Sequence, residues 1–67
     1  MIEIFFDAIR TGDLETVLMF LEAGINPNIQ YYGFNSLQYA ICYGHVGIEN
    51  LLLATGMAKY YWRMNSH

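Results

Sequence analysis

Ala8-Ile9-Arg10-Thr11-Gly12-Asp13 and, 32 positions later, Ala40-Ile41-Cys42-Tyr43-Gly44-His45 decide how this chain is read. In each stretch a helical run stops at a glycine and a polar residue opens the next run. The echo continues outward, because Phe20-Leu21-Glu22-Ala23-Gly24 returns as Leu52-Leu53-Ala54-Thr55-Gly56. A period of roughly 20 to 50 residues with helical spacing inside it marks stacked units that share one core. Function is then to be sought on an open face rather than in a closed pocket.

Inside the first unit, Ile2, Phe5, Phe6 and Ile9 fall at helical spacing, with Glu3, Asp7 and Arg10 on the other side. Gly12 ends that helix and Asp13 caps the next. Leu14, Val17, Leu18 and Leu21 form a second apolar stripe, closed by Gly24. Asn26-Pro27-Asn28 is turn chemistry, and from Ile25 to Phe34 there is no helical period, with Gly33 as a turn tip. Asn35 caps a third helix predicted over 36–43. A fourth is predicted over 46–55, ending at Gly56. The expected fold is all-α, two helix–turn–helix units joined by a long extended loop.

The second unit resembles the ankyrin repeat. That family's Gly-x-Thr-Pro-Leu-His-x-Ala, Gly-His, Leu-Leu and final Gly are met in order by Gly33-Phe34-Asn35-Ser36-Leu37-Gln38-Tyr39-Ala40, Gly44-His45, Leu52-Leu53 and Gly56. The first unit resembles it from Phe5 through Ala8, Gly12, Phe20-Leu21 and Gly24 to Asn28. The resemblance covers residues 4–57 and implies two stacked repeats, 2–28 and 29–57, followed by a C-terminal segment, 58–67, that matches nothing in the repeat. Asn35-Ser36 stands where the family has Thr-Pro, and Gln38 where it has His. A cap from Asn35 and a donor from Gln38 replace the family's Thr–His bond, at some loss of rigidity. Glu49 takes a slot that is usually aliphatic, which suits a last helix facing water. The spacing of 32 rather than 33 places a one-residue deletion between Asn28 and Gly33.

Composition narrows the function classes. The chain has 67 residues, 55% hydrophobic and 13% charged, too apolar for disorder and small enough that its core is marginal. Its net charge is −3, and the three cations Arg10, Lys59 and Arg63 make no basic patch, so nucleic acid is not an expected partner. A single cysteine fits a reducing compartment. No signal-peptide pattern opens the chain and no apolar run is long enough to span a membrane. The expectation is a cytoplasmic protein, in a host's cytoplasm should it derive from a virus or intracellular bacterium. No cofactor is expected. His45 is accounted for as a turn residue, His67 lies at the chain end, and neither has a Cys or Asp at ligand spacing. Cys42 and His45 at i, i+3 could pair as an activated thiol, but a small residue near a repeat turn accounts for Cys42 without chemistry.

As a family, ankyrin repeats bind proteins through their loop tips and the exposed side of each first helix. In the second unit those slots fall to Tyr31, Tyr32, Phe34, Cys42 and Tyr43, with Tyr39 nearby. Tyrosine combines large rigid contact area with a polar tip, the profile of a recognition residue. The competing reading is that these rings pack on one another or on the tail. The tail holds a second aromatic group, Tyr60, Tyr61 and Trp62, between Lys59 and Arg63. It reads either as a helix whose Met57, Tyr60, Tyr61 and Met64 cap the stack or as an anchor for a partner. The resemblance implies a non-catalytic protein-interaction module, a small inhibitor or blocker of a protein partner. The alternative is a structural subunit stabilised by homodimerisation or a larger assembly, since two repeats bury little. A nucleic-acid mimic is disfavoured by the sparse negative charge.

Overall fold

The computed structural model describes residues 1–55, and these form four α-helices and no strand. Three expectations lie outside the described residues: the closing glycine Gly56, the cap formed by Met57, Tyr60, Tyr61 and Met64, and the anchor Tyr60, Tyr61 and Trp62.

Helix α1 spans Ile2–Thr11 and buries Phe5, Phe6, Ala8 and Ile9 on one face. Its outer face carries Asp7 and Arg10, paired at 2.6 Å. Gly12 ends the helix at φ 80, a left-handed geometry that costs glycine no Cβ clash. That turn lets the Asp13 N–H donate back to the Ala8 carbonyl at 2.8 Å. Asp13 then opens α2, Leu14–Glu22. Its carboxylate accepts from the Thr16 N–H at 3.2 Å and the Thr16 hydroxyl at 2.7 Å.

Those two bonds favour the charged carboxylate, and they hold Asp13 below its ordinary value of 3.8, the hydroxyl contributing more than the amide. A lowered acid stabilises the fold above its ordinary value and loses that contribution as pH falls through the folded value. Thermal melts taken downward from pH ~4 should therefore show a decline in stability that is shallower in Asp13→Asn. Parallel declines in the two proteins would show that this cap is not titrating.

The inner face of α2 differs from the expected stripe. Val17 is buried and Phe20 and Leu21 are half-buried against the core, whereas Leu14 and Leu18 are exposed. The helix packs on α1 and on α4, and residues at i, i+3 and i+4 from Val17 fill that seam. Leu14 and Leu18 share the next stripe around the helix, which turns to solvent.

Helix α3 spans Ser36–Cys42 and α4 spans Val46–Ala54, each one residue shorter than expected, because Tyr43 and Thr55 serve as C-caps. The cap of α3 is a reciprocal box. Asn35 Oδ1 accepts from the Gln38 N–H, and Gln38 Oε1 accepts from the Asn35 N–H, both at 2.8 Å. In this bond the Gln38 side chain accepts. Ser36, wholly buried, donates to the Pro27 carbonyl at 2.7 Å and so fastens α3 to the loop after α2.

Each helix packs on its chain neighbour, α1 on α2 and α3 on α4, and the two hairpins pack through α1 on α3 and α2 on α4. Phe5, Phe6, Ile9, Val17, Leu37, Ile48 and Leu52 fill the shared core. The echo survives in the backbone, since the His45 N–H donates to the Ala40 carbonyl at 3.0 Å as Asp13 does to Ala8. The side chains diverge. Asp13 caps its own helix, whereas the His45 ring reaches the first hairpin, where Nε2 donates to the Arg10 carbonyl at 2.7 Å. Glu49 is partly exposed. Among the described residues no helix is long and apolar enough to cross a membrane.

Candidate functional site

The segment between the hairpins closes on itself at Tyr31–Phe34. The Tyr31 N–H donates to the Phe34 carbonyl at 2.8 Å, and the Phe34 N–H returns a bond at 3.1 Å. Two-residue turns that match strand twist need positive φ at the first central position, and the type I′ form needs it at both. Gly33 supplies it at φ 82, and Tyr32 supplies it at φ 54. Asparagine and glycine favour that geometry, and a bulky side chain there is uncommon. The Tyr32 side chain is 83% exposed.

Helix α3 brings up the other wall. Tyr39 and Tyr43 lie one turn apart, with ring centroids 5.2 Å from each other. Together Tyr32, Phe34, Tyr39, Cys42 and Tyr43 line an open groove of about 230 Å³. Five of the six second-unit residues singled out from the sequence thus meet in one place. The sixth, Tyr31, is half-buried beneath them, stacked on Phe6 at 5.0 Å and edge-on to Tyr32 at 4.6 Å.

Recognition and packing are divided among these rings. Tyr31 and Tyr39 both contact Phe6, which in turn meets Phe5 edge-on, and Phe5 meets Phe20 of α2. A ladder of aromatic contacts therefore runs from α2 through the core to the groove. Tyr32, Phe34 and Tyr43 project from its outer end, with Phe34 and Tyr43 about half exposed, at 47% and 46%. Pairs in such edge-on and offset geometries contribute about 0.5–1.5 kcal/mol each beyond area burial.

Polar groups border the rings. Burial raises the Tyr39 hydroxyl above its usual 10.0, and neighbouring Tyr43 adds to this through charge and a hydrogen bond. Burial likewise raises Tyr31, with Tyr32, Glu3 and Asp7 adding to it. Both hydroxyls therefore stay neutral at physiological pH and can donate or accept. Glu3 and Asp7 act on the Tyr31 end, and Arg10 acts on Tyr39 and Tyr43. Cys42 is an exposed free thiol. The His45 ring is engaged with Arg10 and lies against Gly12, rather than presented to a Cys42 thiolate. Among the described residues no three His, Cys, Asp or Glu side chains gather as metal ligands would.

The strained Tyr32 was not legible from the residues alone. A two-residue turn between Tyr31 and Phe34 implies it, but only once that pairing is known. Comparison with known proteins finds no matching family model, curated protein or solved structure.

Proposed function

We propose that this chain is a non-catalytic protein-binding module of the ankyrin-repeat type, which blocks a partner protein by seating it on the aromatic groove. The observation that carries the reading is Tyr32. A large ring stands almost fully exposed on a left-handed backbone position that asparagine or glycine would occupy with less strain. Sites that break a local rule without gain to the fold are where function is to be sought. The repeat-type stacking is supported by two helical hairpins in register, with α1 on α3, α2 on α4, and left-handed glycines at both inner turns, Gly12 and Gly44. A protein partner fits better than nucleic acid, since residues 1–55 hold six acidic side chains and one basic one. The exposed thiol of Cys42 suits a reducing cytoplasm.

Tyr32→Asn separates binding from folding. The substitution relieves a left-handed cost of roughly 1–2 kcal/mol and gives up an edge-on contact with Tyr31 worth about 0.5–1.5 kcal/mol, so the variant should melt close to the wild type. Tyr43→Ser removes an exposed ring and should keep the helical signal. Both variants should lose a stoichiometric partner that the wild-type chain captures from its native cell. Retention of that partner by both would remove the groove from the account.

A second reading has its own observation. Leu14 and Leu18 on α2, and Val46 on α4, leave apolar side chains exposed on elements that do not line the groove. A structural subunit would cover them by homodimerisation. Mass measured over a range of concentrations tests it, a single monomer mass throughout counting against this reading.

A further inference from the structure

We draw no further inference here: the strongest candidate, the open aromatic groove between the Tyr31–Phe34 turn and α3, belongs to the site already described, and nothing in the structure shows what covers it, since Glu3, Asp7 and Arg10, the charges that bear on Tyr31 and Tyr39, are already paired with the N-terminus and with each other.

Discussion

Phe6→Ala should leave the chain unfolded at room temperature. Phe6 is completely buried in α1 and is the one ring that touches Phe5, Tyr31 and Tyr39 together. Truncating a buried phenylalanine costs about 3–5 kcal/mol, from lost transfer energy and the cavity left behind. A core of this size supplies only about 3–5 kcal/mol in total, so the substitution removes most or all of the net stability. Circular dichroism should show loss of helix, and the melting transition should disappear. Phe6→Leu keeps much of the volume and should retain the fold while loosening Tyr31 and Tyr39. A cooperative melt in Phe6→Ala near the wild-type temperature would mean that the aromatic ladder is not what joins the hairpins.

Gly12→Ala should be the most damaging change among the glycines with positive φ. Two costs add there. The backbone sits at φ 80, which disfavours any L side chain by roughly 1–2 kcal/mol. A Cβ would also lie 2.8 Å from the His45 ring, which must then give up its bond to the Arg10 carbonyl. Together these should cost about 2–3 kcal/mol, or more than roughly 10 °C in melting temperature for a domain of this size. Gly24→Ala is the control, because φ is 97 there and nothing lies within 4 Å of its Cβ. It should show the backbone cost alone. In a His45→Ala background the two alanine substitutions should become alike, and an undiminished difference would point away from the ring.

The helices were legible in the sequence because their signals are local. Ile2, Phe5, Phe6 and Ile9 recur at helical spacing, and Asp13 and Asn35 are capping residues at the right positions. Leu14 and Leu18 misled because periodicity marks an apolar arc without saying how much of it a neighbour covers. Among the described residues, the Val17, Phe20 and Leu21 side of α2 is the one that packs on the core. The groove residues were picked out one by one, but their division of labour was not. Whether a tyrosine projects or packs depends on the distance to Phe6, a contact 25 residues away for Tyr31 that no local pattern encodes. The His45 bond to Arg10, 35 residues away, has the same origin, whereas the left-handed Tyr32 follows from the short turn between Tyr31 and Phe34.

Two ties within the molecule have the same form. Ser36 donates to the Pro27 carbonyl and His45 donates to the Arg10 carbonyl, so in both bonds the later part of the chain brings the side chain and the earlier part brings the backbone. Each tie can therefore be cut at one side chain without touching the backbone that receives it: Ser36→Ala or His45→Ala removes a donor and leaves the earlier part of the chain unaltered in sequence.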